Sequence, residues 1–207
     1  MAARDPASFI QGNLQITETP GLPGLRLYTA HPGSGLSRLA EANGPPPYWA
    51  YRWAGGMALA HHVTARPEVV RGKRVLDFGA GSGLVAIATA RSGAAAVWAA
   101  EIDPYGVAAI DLNAALNGVS VEVPAKGAGV PPVDLVLAGD VFYAPDVGRR
   151  ILPVLERWVA AGIEVLVGDP GRADLPLNRL ERLAAYDVTD AGGTAAEGVV
   201  FALQFSR

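Results

Sequence analysis

The stretch RVLDFGAGSGLVAIATA, residues 74–90, decides the fold of this chain. It begins with a short apolar run at 74–78, continues with three glycines that alternate with small residues, and ends in an alanine-rich run. A short apolar run that stops at glycines predicts a strand, and the alanine-rich run predicts a helix. The stretch therefore predicts a strand, a tight turn and a helix, which is the repeating unit of an α/β sheet.

Six further apolar runs predict strands at residues 95–101, 119–123, 135–138, 164–168, 186–189 and 199–205. We expect helices after the first, second, fourth and fifth of the seven strands, which indicates a mostly parallel sheet covered on both faces. A glycine-containing loop of about nine residues separates the last two strands, so they should form an antiparallel hairpin at one edge. The predicted fold class is α/β and Rossmann-like, with seven strands.

Residues 1–47 differ in composition from the rest of the chain, because they are rich in glycine, proline and other turn formers. We expect an irregular N-terminal arm or lid here, with one strand at 25–29. A single domain should fill residues 48–207, beginning with a helix at 48–63. That helix would place Trp49 and Trp53 on one face, a pattern that is typical of core packing.

The composition excludes several classes of function. Half of the 207 residues are apolar and 18% are charged, which suits a folded domain and disfavours disorder. The net charge of -3 gives no basic field for nucleic acid, and the absence of cysteine excludes disulfides, thiolate metal sites and cysteine nucleophiles. The N-terminus lacks the pattern of a leader peptide and no apolar run approaches the roughly 20 residues of a membrane span, so we expect a cytoplasmic protein without a membrane partner.

The two adjacent histidines do not predict a metal site. Metal ligands on one helix face lie three or four residues apart, whereas His61 and His62 are neighbours. We expect both at the surface or capping a helix.

The glycine spacing separates three kinds of nucleotide site. The dinucleotide pattern G-x-G-x-x-G fails because Leu84 stands where the third glycine belongs, and a P-loop would need Lys and then Ser or Thr after its last glycine. The pattern D-x-G-x-G-x-G instead resembles motif I of methyltransferases that use S-adenosylmethionine, a ligand that needs close backbone approach and an acid near its ammonium group. A tight turn without a ligand is the alternative. The loop residues predicted to bind the cofactor are Asp77, Gly79, Ala80, Gly81, Ser82 and Gly83.

Acidic residues end two further strands at the edge where open α/β sheets bind ligands. Glu101 ends the second strand, where a carboxylate can accept hydrogen bonds from both ribose hydroxyls. Asp103 precedes a proline, which is typical of a helix N-cap. Asp140 follows the fourth strand, and Phe142 and Tyr143 come next on the loop, which is a place for substrate contact. An N-cap for the next helix is the alternative role of Asp140.

Five segments in order give a closer resemblance: PPYWAYRWAGG, VRGKRVLDFGAGSGLVAIA, EIDP, LAGDVFY and VGDPGR. Over about residues 9–205 the chain is similar to the class I methyltransferases that modify lysine in the β subunit of electron transfer flavoprotein. The resemblance implies that Trp53 lies beside the cofactor, where an aromatic face attracts a sulfonium cation by about 0.5–2 kcal/mol. It also implies that Glu101 binds the ribose, with Ile102 as a further cofactor contact. Asp140 to Tyr143 match the D-x-x-Y signature, so Asp140 and Tyr143 are the implied catalytic residues, and Asp140 also borders the cofactor.

The chain departs from the family pattern at three places. Val133 stands where tryptophan is common, and Lys126 with Gly127 stand where an acidic pair is common; both changes affect the adenine end. Ala144 follows the signature tyrosine, where an acid is common.

The predicted reaction is in-line transfer of a methyl group from S-adenosylmethionine to a neutral amine, which releases S-adenosylhomocysteine. A free lysine has a pKa of about 10.4, so holding it neutral near pH 7 costs about 4–5 kcal/mol unless the site desolvates it. Asp140 and Tyr143 would orient the amine and take its proton through water. The expected target is lysine in electron transfer flavoprotein β subunit or a ribosomal protein. A small-molecule N-methyltransferase with a nicotinamide-type substrate and an inactive cofactor-binding protein are the alternatives.

Overall fold

The computed structural model describes residues 5–40, 46–125, 127, 129 and 131–204. Its strands are β1 (Gln15–Thr19), β2 (Leu22–Thr29), β3 (Arg74–Phe78), β4 (Ala96–Ala100), β5 (Leu135–Gly139), β6 (Glu164–Asp169), β7 (Leu180–Thr189) and β8 (Ala195–Leu203). Its α-helices are α1 (Pro6–Asn13), α2 (Ser37–Ala40), α3 (Ala54–Ala65), α4 (Leu84–Arg91), α5 (Pro104–Leu116) and α6 (Pro145–Ala160).

The central sheet has the strand order β4-β3-β5-β6-β8-β7. The first four strands are parallel, and β8 runs antiparallel between β6 and β7. The predicted α/β class and the antiparallel C-terminal hairpin are therefore confirmed. The chain leaves β3 for β4 on one side and returns to β5 on the other, so the strand order reverses beside β3, and ligands bind at such a switch point in open α/β sheets.

The prediction of a seven-stranded sheet is wrong by one strand in the described residues. The segment predicted as a strand at 119–123 lies along β4, but it forms only a single bridge, between Trp98 and Glu122. Residues beyond it include Pro124, Pro131 and Pro132. Proline has no backbone N–H to donate, so Pro124 cannot extend the ladder by donating to β4.

The helix predicted at 48–63 is also corrected. Tyr48–Ala50 form a single 3-10 turn, the backbone is extended at Tyr51 and Trp53, and α3 starts only at Ala54. The backbone N–H of Ala54 donates to the carboxylate of Asp190, 2.9 Å away in the turn between β7 and β8. This long-range contact defines the helix start, and the two tryptophans do not share a helix face.

Residues 6–29, expected to be irregular, instead form α1 and the hairpin of β1 and β2. The strand predicted at 25–29 lies within β2. The leucines of β2, Leu22, Leu25 and Leu27, are buried in the main core together with α3 and α4. The hairpin therefore belongs to the packed body of the protein, because its apolar side chains complete the core.

Helix α3 packs against the sheet through glycines on both sides of the contact. A Cβ atom at Gly55 would lie 2.1 Å from the carbonyl oxygen of Gly168, and one at Gly139 would lie 2.9 Å from the Cα of Gly56. Only glycine permits this approach of backbone to backbone. The contact brings the first turn of α3 to the carboxyl ends of β5 and β6.

His62 lies in the core, contrary to the expected surface or capping position. It is 2% exposed, and its Nδ1 atom is 3.0 Å from the hydroxyl of Tyr186 on β7. Burial lowers the pKa of His62. The sequence could not indicate this environment, because Tyr186 is 124 residues away along the chain.

Candidate active site

The glycine loop after β3 adopts the backbone conformation that its sequence requires. Gly79, Gly81 and Gly83 have φ angles of 74°, 54° and 78°, in the left-handed region that glycine enters at little cost. The N–H groups of Gly79 and Ala80 donate to the carbonyl of Ala100, at 3.0 and 3.1 Å. The loop is thereby fixed to the end of β4, with Ser82 and Ala80 buried.

Asp77 lies under this loop and anchors the helix that follows it. Its side chain is 2% exposed, and Oδ2 accepts a hydrogen bond of 2.9 Å from the N–H of Ala86 in the first turn of α4. Burial, opposed by this hydrogen bond and assisted by the charge of Glu101, raises the pKa of Asp77 to about 7. Asp77 therefore supplies the cap that Gly83, at the start of α4, cannot supply.

Glu101 connects the glycine loop to the end of β4. One carboxylate oxygen accepts the N–H of Gly81 at 2.8 Å, and the other accepts the N–H groups of Ile102 and Asp103. The Asp103 side chain accepts the N–H of Tyr105, which confirms its predicted role as an N-cap. Ile102 is 93% exposed, so an apolar side chain stands beside the carboxylate with almost no protein contact. This pairing suits a nucleoside, which has hydroxyls and an apolar ring face.

Asp140 lies on the opposite side of the switch point, directly after β5. Its φ angle is 57°, a left-handed conformation that is uncommon for a residue with a side chain. Its Oδ2 accepts a hydrogen bond of 2.7 Å from the N–H of Gly56, and its Oδ1 accepts one of 2.5 Å from Nη1 of Arg172. Burial raises the pKa of Asp140, and the charge of Arg172 opposes that increase. The alternative N-cap role is wrong, because α6 begins after Ala144 without a side-chain cap.

Arg172 and Asp169 are functional candidates that the sequence reasoning did not single out. Nη1 of Arg172 is also 3.2 Å from Oδ2 of Asp169, which is completely buried at the end of β6. Oδ1 of Asp169 accepts the N–H groups of Gly171 and Arg172, and this turn directs the guanidinium to Asp140. The segment VGDPGR was part of the family resemblance, but no local pattern indicated that it would meet Asp140.

Three aromatic rings cluster around Tyr143, which follows Asp140 by three residues. Tyr143 is 47% exposed, and its ring centroid lies 5.2 Å from that of Tyr48. Tyr48 in turn contacts Trp53 at 5.7 Å, and the indole N–H of Trp53 donates to the Tyr48 carbonyl. Burial raises the pKa of Tyr143, with smaller contributions from neighbouring groups that include Glu101. The phenol is therefore neutral near pH 7. We call Tyr48, Trp53 and Tyr143 the aromatic rim.

Several other residues that the sequence singled out are buried or lie outside the described residues. Phe142, expected near the substrate, is 1% exposed and packs in the core under α6. Trp49 is buried and stacks on Tyr105, with ring centroids 5.6 Å apart. Val133 is buried in the same core as Phe142, and Lys126 lies outside the described residues.

The described residues were also considered as a metal site and as a membrane span. None of the groupings of acidic and histidine side chains there could hold a metal ion. None of the helices there has the length and hydropathy that crossing a bilayer requires.

Comparison with known proteins identifies the family. The electron transfer flavoprotein β subunit lysine methyltransferase of Xenopus laevis is 36% identical over 201 residues, which cover 92% of this chain and 82% of the relative. The human protein of the same name is 37% identical, covering 80% of this chain and 66% of its own length. This chain belongs to that family. It is therefore a methyltransferase, and its cofactor is S-adenosylmethionine.

Three further matches cover less of this chain. The family model for ribosomal protein L11 methyltransferase matches residues 62–140, and the Geobacter sulfurreducens enzyme of that name is 40% identical over 100 residues, 47% of this chain and 33% of that protein. Among solved structures, the ribosomal protein L11 methylase of Lactobacillus delbrueckii subsp. bulgaricus has a TM-score of 0.51 at 23% identity and covers 70% of this chain and 77% of its own. The structural likeness shows the fold alone.

Proposed function

We propose that this protein is an S-adenosylmethionine-dependent protein-lysine N-methyltransferase that acts on the β subunit of electron transfer flavoprotein. The observation that carries the proposal is the similarity over 92% of the chain to relatives named for that activity. The geometry supports it, because a nucleoside-type half-site at Glu101 and a polar half-site at Asp140 lie on the two sides of one switch point. The cytoplasmic location, and the absence of nucleic acid and membrane partners, remain predictions from the sequence.

The residues on the cofactor side fit S-adenosylmethionine. The left-handed glycines bring bare backbone to the surface of the loop, and a Cβ at Gly81 would make ordinary van der Waals contact with the Cα of Trp49, 3.7 Å away. Glu101 offers a carboxylate to ribose hydroxyls, and exposed Ile102 offers an apolar contact to a base. When bound, the cofactor supplies an electrophilic methyl group on a sulfonium. Asp77 would act mainly by holding α4 and the loop in place.

The residues on the substrate side suit an amine. The aromatic rim can pack along the alkyl chain of lysine and attract a cation to its ring faces. Tyr143 keeps its proton, so its hydroxyl can orient the amine nitrogen but does not act as a phenolate base. Both oxygens of Asp140 are already occupied by protein donors, so this carboxylate orients and stabilises positive charge on nitrogen, while the departing proton leaves through water.

The first test is calorimetric titration with S-adenosylmethionine of the wild type and of Gly81→Arg. The long arginine side chain on this loop should block the cofactor and abolish binding. Gly162→Arg is the matched control, because Gly162 also has a positive φ but lies after α6, where a Cβ would meet nothing within 4 Å. Binding lost only in Gly81→Arg supports the cofactor site, and equal binding by both variants refutes it.

The second test supplies recombinant electron transfer flavoprotein β subunit, ribosomal protein L11 and nicotinamide in parallel, with methylated products read by mass spectrometry. Ribosomal protein L11 is included because the L11 methyltransferase family model matches residues 62–140. Methylated lysine in the flavoprotein subunit supports the proposal. Turnover of nicotinamide alone favours the small-molecule alternative, and cofactor binding without turnover of any acceptor favours the inactive alternative. Tyr143→Phe should lower kcat while cofactor affinity stays unchanged, since Tyr143 faces the substrate.

A further inference from the structure

The carboxylate of Asp140 is held from two sides by groups that are far away in sequence. The first turn of α3 donates the N–H of Gly56 to one oxygen, and the guanidinium of Arg172 donates to the other. The Asp140 side chain is 11% exposed and that of Arg172 is 22% exposed, so water competes little with this pair. The backbone of Asp140 is itself left-handed. The contacts with Gly56 and Arg172 hold its side chain in one orientation at the edge of the sheet.

We propose that Arg172 is a positioning residue for methyl transfer, which acts by holding the carboxylate of Asp140 at the substrate side of the site. The inference rests on the proposed function and deepens it. Asp169 is the second member of the arrangement, because its buried carboxylate binds both the backbone and the guanidinium of Arg172. Arg172 thus connects the end of β6, through Asp169, to Asp140 in the loop that follows β5.

The charges explain why such a residue is needed. In the transfer step the bond from nitrogen to the methyl carbon forms, the bond from carbon to sulfur breaks with its electron pair remaining on sulfur, and positive charge moves to nitrogen. An ionised carboxylate beside the nitrogen stabilises that charge. Burial favours the neutral acid, and a guanidinium in contact opposes that tendency.

The opposite assignment is that Arg172 binds the carboxylate of the cofactor. Its two acidic partners argue against this, because Nη1 already contacts both Asp140 and Asp169. The two assignments differ in what they predict. If Arg172 is a cofactor ligand, its replacement lowers the affinity for S-adenosylmethionine. If it is a positioning residue, its replacement lowers kcat and shifts the pH dependence of kcat.

The experiment compares Arg172→Gln and Arg172→Lys with the wild type, using electron transfer flavoprotein β subunit as acceptor. For Arg172→Gln we expect an unchanged dissociation constant for S-adenosylmethionine and a kcat about tenfold to a hundredfold lower. The acid limb of kcat should move up by about one pH unit or more, because Arg172 is the cation that contacts Asp140, and its other partner, Asp169, is an acid that remains. Arg172→Lys should restore part of kcat and return the limb toward its original position.

Arg182→Gln is the matched control, since Arg182 forms an ion pair of 3.0 Å with Glu197 in which both side chains are more than half exposed. It should change neither kcat nor the pH profile. A large loss of cofactor affinity in Arg172→Gln, or an unchanged kcat, or a lower kcat with an unmoved acid limb, would each overturn the proposal.

A carbon-13 NMR titration of the aspartate carboxyls, with the Asp140 signal assigned through Asp140→Asn, tests the same contact without turnover. The pKa of the Asp140 carboxyl should rise when Arg172 is replaced by glutamine. If the wild type methylates nothing, the proposed function fails, and this titration still decides whether Arg172 controls Asp140.

Discussion

The side-chain amide of Asn113 donates a hydrogen bond of 2.8 Å to the backbone carbonyl of Ser82, in the glycine loop. The same side chain accepts the N–H of Tyr28 on β2 at 2.8 Å. Asn113 is completely buried in the last turn of α5. One residue therefore joins the N-terminal hairpin to the loop that is proposed to bind the cofactor.

Asn113→Ala should weaken both folding and cofactor binding. The substitution leaves a buried N–H and a carbonyl without partners, which costs about 2–3 kcal/mol of the free energy of unfolding. The released loop should also lower the affinity for S-adenosylmethionine, measured by calorimetry well below the unfolding temperature. Asn117→Ala is the control, because Asn117 exchanges two hydrogen bonds with Arg26 of the hairpin but does not touch the loop. If Asn117→Ala loses as much affinity as Asn113→Ala, the loop contact is not the reason.

Adjacent glycines at the start of α3 should respond in opposite ways to alanine. A Cβ at Gly55 would lie 2.1 Å from the Gly168 carbonyl oxygen and 2.8 Å from Oδ2 of Asp140, whereas the closest atoms to a Cβ at Gly56 are 3.8 Å away. Gly55→Ala should destabilise the protein by about 3 kcal/mol or more, because helix and sheet must separate. Gly56→Ala should be neutral or stabilise by up to about 1 kcal/mol, through helix propensity. Urea unfolding of the pair measures this, and equal effects would contradict the close contact.

The sequence predicted those features that depend on neighbouring residues. Strand β3 begins and ends at the predicted residues, and Glu101 was correctly placed at the end of the next strand, because apolar runs that stop at glycine or acid are local signals. The Asp103 cap is equally local. These elements define the cofactor side of the site.

The features that the sequence reasoning missed depend on residues that meet only in the folded chain. The N–H of Ala54 at the start of α3 is bound by Asp190, and Asp140 is paired with Arg172, which also binds Asp169. The hairpin of β1 and β2 was expected to be irregular because its glycines and prolines are typical of turns. Its leucines are buried by contact with α3 and α4, which follow much later in the chain, so the local sequence did not indicate their burial. The substrate side of the site was therefore less predictable than the cofactor side.

The buried carboxyl of Asp77 should make stability depend on pH. Its pKa is raised, mainly by burial, to about 7, so between about pH 4 and pH 7 the folded protein binds a proton that the unfolded chain has released. Its contribution to stability is complete below about pH 4 and is lost as the pH rises through about 7, with a slope of at most about 1.4 kcal/mol per pH unit. Urea unfolding at about pH 5 and about pH 7.5 should show this loss in the wild type and less of it in Asp77→Asn.

Asp134→Asn is the control for that measurement. The hydrogen bonds and charge of Arg74 lower the pKa of Asp134 to about 2, so its contribution to stability changes only at more acidic pH. The control should therefore keep the wild-type difference between the two pH values. A wild-type difference that persists in Asp77→Asn would show that this carboxyl ionises normally in the folded protein.

Gly106→Ala should weaken cofactor binding through Glu101. A Cβ at Gly106 would lie 2.7 Å from Cγ and 2.9 Å from Cδ of Glu101, so the flexible acidic side chain has to move while α5 stays in place. The displaced carboxylate loses its hydrogen bond to the Gly81 N–H and its alignment with the ribose, which should lower the affinity for S-adenosylhomocysteine about tenfold or more. Calorimetry measures the change.

Three further variants distinguish displacement of Glu101 from a general effect of adding a methyl group to a helix. Gly12→Ala adds the same methyl group to a helix where a Cβ meets nothing within 4 Å, so affinity should not change. Glu101→Ala should reduce affinity at least as much as Gly106→Ala, and the double variant should be no weaker than Glu101→Ala alone, because both changes act on one carboxylate. Additive losses would mean that Gly106 affects the cofactor by another route, and unchanged affinity in Glu101→Ala would remove Glu101 from the proposed ribose site.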